Sequence, residues 1–318
     1  MATVEQTAKK FGGSVKDDVL IAFSRVTDDH LTRAVLKTTA HTPDAPNQKH
    51  LQRLIQASHG NFSLKGTPTS MDEVTSCLAK RLHVRDTLVV LKTLTVFHLL
   101  LQGGHESIGE AIANQSRTIF DLGRQLKDIA DSPEAMDQIR LIRGYMKYLD
   151  ERCIATARTQ VRLETDSEYA SQLPYSPELC TKVVTFLREW LPVLRTMTSI
   201  DIRVESEIDG ASIAALKALM KDSRSLYASI TVRMVWLLDR ISHVEDDQRK
   251  ELLPLFDTYC EQVDAINRMY AVVEKVDGLA PNVSIQAIPG PAAEKFRRAC
   301  RGESSPQRPK ADTSDEPP

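Results

Sequence analysis

Glycine is scarce in this chain, 13 residues of 318, and cysteine is scarcer, with five. Strand-period runs are nearly absent and long helix-period segments follow one another with short breaks, so the chain reads as all-α. The cysteines, Cys77, Cys153, Cys180, Cys260 and Cys300, are scattered with no CxxC spacing. That pattern argues against a disulfide framework and against a zinc site, and for buried thiols in a reducing compartment. Aromatic residues make up 5% and are not interleaved with basic ones, so nucleic acid is not an expected partner. Excess charge of one sign is missing too: 41 Lys and Arg against 43 Asp and Glu give a net charge of −2, so any anion site must be local. The N-terminus has no signal-peptide apolar core. The most apolar stretch, Leu88 to Leu101, is interrupted by Lys92 and His98 and falls short of the roughly 20 residues that span a bilayer. It reads as a core helix, with His98 a hydrogen-bonded core histidine. A membrane, if met, is met from the cytosol. There is no glycine-rich phosphate loop, nucleophile elbow or HExxH. Asp28-Asp29 reads as a helix cap and Asp246-Asp247 as a polar turn, so neither an enzyme nor a metal or cofactor is expected.

What is present is a succession of amphipathic segments. Residues 14–26 carry Val15, Val19, Ala22, Phe23 and Val26 on one face; packing on the helical stack is favoured over insertion into a membrane, because Asp17 and Asp18 sit on the helix. Helices are expected at 28–40 and 47–58, joined by a loop, 41–46, with two prolines. Ser70 and Glu73 spell a capping box. Residues 86–101 are apolar on nearly every face and should be surrounded by other helices. Shorter helices follow at 105–115 and 117–129, and Pro133 opens a long one. Residues 159–175 look like a polar connection, and Ser176-Pro177-Glu178 is a helix start. Helices are then expected at 211–221, from Leu226 to Ile241, from Leu253 to Val273, and at 291–301. The segment Leu252 to Asp257 has a faint clathrin-box look, but core spacing assigns it to packing. The expected organisation is a helical superhelix over 1–158, a connection over 159–175, a bundle of long helices over 176–301 and a disordered tail over 302–318.

One spot breaks the charge rule for helix ends. Acids are favoured in a first turn, yet the helix opening at Asn47 begins Gln48, Lys49, His50. Lys37 ends the preceding helix, and the proline loop folds the two ends together. Cations, free N–H groups and a helix dipole would converge there on one polyphosphate. The alternative is ordinary solvated lysines.

The stretch Arg33-Ala-Val-Leu-Lys37-Thr-Thr-Ala-His41 followed by Pro46-Asn-Gln-Lys49-His50-Leu51 resembles the signature of the ANTH domain, the AP180/CALM family of endocytic clathrin adaptors. Leu88-Val-Val-Leu-Lys92-Thr-Leu with His98, and Arg143-Gly-Tyr145-Met-Lys-Tyr148-Leu-Asp-Glu-Arg152, resemble two further family segments in the same order. The resemblance covers most of the chain. It implies an ANTH/ENTH-like solenoid continuing into a C-terminal bundle, and a lipid site for phosphatidylinositol 4,5-bisphosphate at Lys37, Lys49 and His50, with Arg33 a further basic position. Asn47 stands where the family has a lysine, as a neutral donor, and Asp44 adds repulsion. The resemblance also implies clathrin and other coat proteins as partners, a vesicle SNARE as cargo in a groove of the bundle, and a peripheral place on plasma membrane, coated pits and vesicles. The tail has no NPF, DPF or DPW hook, as expected of a short or truncated member. The competing expectation is a protein-binding helical scaffold without lipid binding.

Overall fold

Six of the helices begin where a short polar side chain caps them. The computed structural model describes residues 17–18, 20–22, 24–25, 29–60, 63–64, 67–68, 70–115, 119–120, 126, 133–166, 173–203, 208–276, 279 and 285–303. Asp29 starts α1 (His30–Thr38), accepting from the Thr32 N–H at 2.9 Å. Asn47 starts α2 (Gln48–Ser58). Ser70 and Glu73 close the capping box of α3 (Met71–Leu82), at 3.2 and 2.8 Å. Asp86 caps α4 (Thr87–Gly103), which is followed by α5 (Ile108–Ala113) and α6 (Pro133–Thr159). Ser176 opens α7 (Pro177–Thr198) and Asp209 opens α8 (Gly210–Arg240). A 3₁₀ turn (Ile241–His243) leads into α9 (Asp246–Val273), and α10 (Gly290–Cys300) comes last. Each side-chain cap satisfies an N–H that the helix cannot, worth about 1 kcal/mol. The one β pairing among the described residues is an antiparallel ribbon of Ser63–Leu64 with Thr67–Pro68.

The all-round apolar α4 lies at the centre, as its pattern demands. Every residue from Val89 to His98 is buried, and the helix packs on α1, α2, α3, α5, α6 and α8. Beyond it, α7 lies on α6, α8 and α9, and α10 closes against α9 and the 3₁₀ turn. Short stacked helices thus run on into long bundled ones.

The structure departs from the sequence expectation in three places. Residues 210–240 form one helix rather than two. The polar run Asp222, Ser223, Arg224 reads as an interruption, yet Asp222 and Ser223 are buried and bonded. Asp246 is the first residue of α9 rather than part of a turn. In the N-terminal segment, described residues 17–18, 20–22 and 24–25 are helical. Val15, Val19, Phe23 and Val26 lie outside the described residues, and Ala22 is exposed. Polar groups do the docking: Arg81 holds Asp17 with two bonds of 2.8 Å, and Arg33 donates to the Ser24 carbonyl at 2.6 Å. Of the stretch 116–132, only residues 119, 120 and 126 are described.

A buried carboxylate ties α4, α6 and α8 together. Asp222 accepts from His98 (2.7 Å), Tyr148 (2.5 Å) and Gln102 (2.6 Å), and pairs with Arg152 at 2.5 Å. Burial alone would raise this carboxyl, but the Arg152 guanidinium and the His98 ring outweigh it and hold it well below the usual carboxylate range. His98 also meets the Tyr145 hydroxyl at 2.8 Å.

The loop 41–46 is fixed from two sides. From beneath, Lys92, only 2% exposed, donates through Nζ to the carbonyl and hydroxyl of Thr42 at 3.3 and 3.2 Å. From behind, the Ala211 N–H at the start of α8 donates to the Pro43 carbonyl at 2.8 Å. That approach leaves little room for a side chain at 210. A Cβ there would lie 3.0 Å from Pro43 O, 3.1 Å from Ala45 N and 3.2 Å from Asp44 Cα, all backbone atoms.

Two outcomes follow. Asp222→Asn leaves a buried guanidinium half-paired and should cost about 3–5 kcal/mol in denaturant unfolding; a loss below about 1 kcal/mol would show that the cluster does not join the helices. Gly210→Val should cost about 1–3 kcal/mol by overpacking and speed amide exchange across residues 42–46, while exchange in α9 stays as in the wild type.

Candidate lipid-headgroup site

The ends of α1 and α2 come together because the two helices pack against each other across the short loop. Lys37 stands in the last turn of α1, where a cation suits the helix dipole. Lys49 stands exposed in the first turn of α2, where a cation does not. His50 follows it and is 7% exposed. Its Nδ1 is buried with no hydrogen-bond partner among the described residues. An orphaned acceptor is tolerated better than an orphaned N–H, so the ring proton belongs on Nε2, the nitrogen left open to a ligand. The backbone N–H groups of Gln48 and Lys49 find no acceptor among the described residues either. The start of α2 therefore presents unpaired N–H donors beside its cations.

Its electrostatics record the convergence. The His50 ring is pushed below the ordinary imidazole value, first by burial and then by Lys37, Arg53, Lys49 and Arg33 in that order. Four cations from two helices thus act on one ring. The side chains of Lys37, Lys49 and Arg53 have no hydrogen bond or ion pair among the described residues. Arg33 differs: its guanidinium is engaged by the Ser24 carbonyl, the Ser24 hydroxyl (3.4 Å) and His30 (3.3 Å).

Asn47 is placed by its capping role, Oδ1 accepting from the His50 N–H at 3.4 Å. A lysine there could not cap the helix, so the neutral residue gains local stability at the expense of a charge. Asp44, expected to repel an anion, is the largest of the charges acting on buried Lys92. Nearby, His41 pairs with Asp86. Arg53 is absent from the motif that singles out the other cations. Its spacing of four from Lys49 is the signal that places it on the same helix face. Elsewhere, Leu252 and Phe256 of the clathrin-box-like segment are buried in α9, as core spacing requires. No described helix is long and apolar enough to cross a membrane.

The fold and this constellation can be set beside known proteins. The mouse clathrin coat assembly protein AP180 is 24% identical over 270 residues, which cover 83% of this chain and 28% of that protein. The human phosphatidylinositol-binding clathrin assembly protein is 25% identical over 272 residues, 83% of this chain and 39% of that one. The chain thus spans well under half the length of these relatives. Among solved structures, the cryo-EM structure of helical ANTH and ENTH tubules on PI(4,5)P2-containing membranes aligns with a TM-score of 0.64 at 19% identity, over 86% of this chain and 99% of that one. The ENTH domain of epsin-2 in complex with phosphatidylinositol 4,5-bisphosphate aligns with a TM-score of 0.52 at 18% identity, over 81% and 96%. At these identities the likeness is one of fold. The family model described as the ANTH domain matches residues 30–298, most of the chain and all of α1 to α10 but the last two residues of α10. The chain belongs to the ANTH domain family.

Proposed function

We propose that this chain is a peripheral membrane adaptor that docks from the cytoplasm on phosphatidylinositol 4,5-bisphosphate through the joined ends of α1 and α2. The observation that carries the reading is the pair of cations, Lys37 and Lys49, without side-chain partners among the described residues, beside a buried histidine with an unpartnered Nδ1 at a helix start. Lys37 and Lys49 supply charge, His50 donates through Nε2, and the N–H groups of Gln48 and Lys49 add fixed donors. Asn47 keeps its amide Nδ2 for the ligand while Oδ1 caps the helix. Arg33, engaged by Ser24, contributes field more than contact. The choice of lipid follows the family, whose relatives are named for clathrin assembly and phosphatidylinositol binding. By the same likeness the adaptor works in clathrin-mediated endocytosis, at plasma-membrane coated pits and vesicles. It would recruit clathrin, other coat proteins and cargo, a vesicle SNARE helix being the cargo chemistry suited to a groove between long helices.

A second reading, a protein-binding helical scaffold without lipid binding, is favoured by the engagement of Arg33 and the neutral Asn47. Liposome co-sedimentation separates the two. Wild type should pellet with vesicles containing phosphatidylinositol 4,5-bisphosphate, and Lys37→Glu/Lys49→Glu should stay in the supernatant. The wild-type affinity should fall steeply as salt rises, because exposed ionic contacts are screened. Wild type left in the supernatant at low salt would establish the scaffold instead.

The depressed His50 ring gives a pH dependence of definite sign. In the free protein the cations of α1 and α2 disfavour the imidazolium. A bound polyanion cancels that field, so binding takes up a proton and affinity should rise as pH falls below neutrality. His50→Gln should flatten this slope. Without ligand the sign reverses: the folded state resists a proton that the unfolded chain accepts near 6.5, so stability should decline as pH falls through that value. A vesicle affinity flat between neutral and mildly acidic pH would remove His50 from the site.

A further inference from the structure

Arg53 has no part in the motif that marks the site, yet its surroundings single it out. It lies three residues after His50 and four after Lys49 on the 11-residue helix α2. At about 100° per residue it falls between those two around the helix axis, one turn further along. Lys49 is exposed, His50 is buried and Arg53 is half-buried, which fits that intermediate azimuth. Side chains at these spacings have Cβ atoms about 5–6 Å apart. Most buried or half-buried arginines of this protein are committed to partners: Arg81 to Asp17, Arg152 to Asp222, Arg233 to Asp166 and Arg297 to Asp257. The Arg53 guanidinium has no hydrogen bond or ion pair among the described residues. A half-buried guanidinium with no partner among the described residues, beside a buried imidazole that is itself left unpaired at Nδ1, marks a polar cluster whose hydrogen bonding the described residues do not complete.

We infer that Arg53 is a direct ligand of the polyphosphate headgroup, supplying from the second turn of α2 the positive charge that Asn47 does not supply at its start. The inference rests on the headgroup reading above and adds a residue and a geometry to it. A lysine at position 47 would hold a phosphate over the first turn. A guanidinium at 53 draws one down the face of α2, between Lys49 and His50. Its planar fork can hold two oxygens of a single phosphate, which an ammonium cannot. The field at His50 agrees, since Arg53 acts on the ring more strongly than Lys49 does. The arrangement also explains how a family site can lose a cation at 47: the cap is retained by Asn47 and the charge is moved rather than lost.

The test uses the full chain, phosphatidylcholine vesicles with and without phosphatidylinositol 4,5-bisphosphate, and soluble inositol 1,4,5-trisphosphate followed by calorimetry. A half-exposed helix position tolerates glutamine with little change in stability, and thermal melts check this. Arg53→Gln should weaken binding to the lipid vesicles about tenfold or more, and binding to the soluble headgroup by a similar factor. Arg53→Lys should restore only part of the loss. Adding Asn47→Lys to Arg53→Gln should recover affinity, because it returns a charge to the family's own position. Wild-type affinity in Arg53→Gln, with Lys49→Gln impaired, would overturn the inference while leaving the headgroup reading intact. So would a loss seen only on vesicles with soluble-headgroup affinity unchanged, since that places Arg53 against the bilayer surface and not on the phosphates. Wild type that binds neither ligand would overturn the headgroup reading itself, and this inference with it.

Discussion

A lysine ammonium gives up its water only where other oxygens replace it, and Lys92 has been brought into the most apolar helix of the protein on those terms. At 2% exposure its charge is disfavoured by burial and sustained by Asp44, Asp209 and Asp86. Its hydrogen bonds go to Thr42, within the loop that joins the two helices of the candidate site. The core therefore dictates where that loop lies. Asp209 also caps α8, whose first turn accepts the loop at Gly210. Asp86 caps α4 and pairs with His41. One buried cation thus gathers the start of the central helix, the start of the longest helix and the turn between Lys37 and Lys49 into a single electrostatic unit. The geometry of an exposed site is set here from inside the molecule.

The other end of α4 repeats the device with the sign reversed. Asp222 is a buried anion, and its partners come from α4 and α6; one of them, Gln102 of α4, also donates to the Ala218 carbonyl. Replacing buried ion clusters with apolar side chains is often neutral for stability, so such a cluster is better understood as fixing register. Helices packed only by leucine and valine could slide by a turn. Helices that share one carboxylate through His98, Tyr148 and Arg152 cannot, because a shift leaves several polar groups buried and unpaired. The polar residues inside α4, which break its apolar run in the sequence, are what orient the stack on one side and the bundle on the other.

Local devices were legible in the sequence and remote ones were not. A cap is written within four residues, so Ser70 with Glu73, Ser176 with Pro177 and the loop 41–46 could be read directly. The all-round burial of α4 followed from its composition. The unbroken α8 could not be read, because Asp222 looks like an interruption until its partners are known, and Tyr148 and His98 lie 74 and 124 positions away. Packing of the N-terminal segment on the stack was expected, but the partner that holds it was hidden for the same reason: Arg81 reaches Asp17 across 64 positions. Within the candidate site, Lys49 and His50 were legible because they violate the helix-dipole rule, and Lys37 because it ends the preceding helix just across the short proline loop. Arg53 obeys every local rule: its spacing from Lys49 gives it the same helix face, and the lack of a side-chain partner among the described residues sets it apart.

Stability and binding compete at the start of α2, and the sequence shows where each prevails. Cations in a first turn oppose the helix dipole, each by about 0.3–1 kcal/mol when exposed, and gathering four of them around one ring adds mutual repulsion. With 43 acidic residues in the chain, carboxylates to neutralise them were available. Instead the nearest acid in the loop, Asp44, directs its field at Lys92 beneath, and Lys37 and Lys49 have no partner among the described residues. Asn47 marks the limit of the tolerated strain: at the position where a cation would also forfeit the cap, the cap is kept. A surface selected for folding alone would have paired these charges. Leaving them open makes sense if the missing anion arrives from outside, carrying enough charge to relieve all of the cations at once.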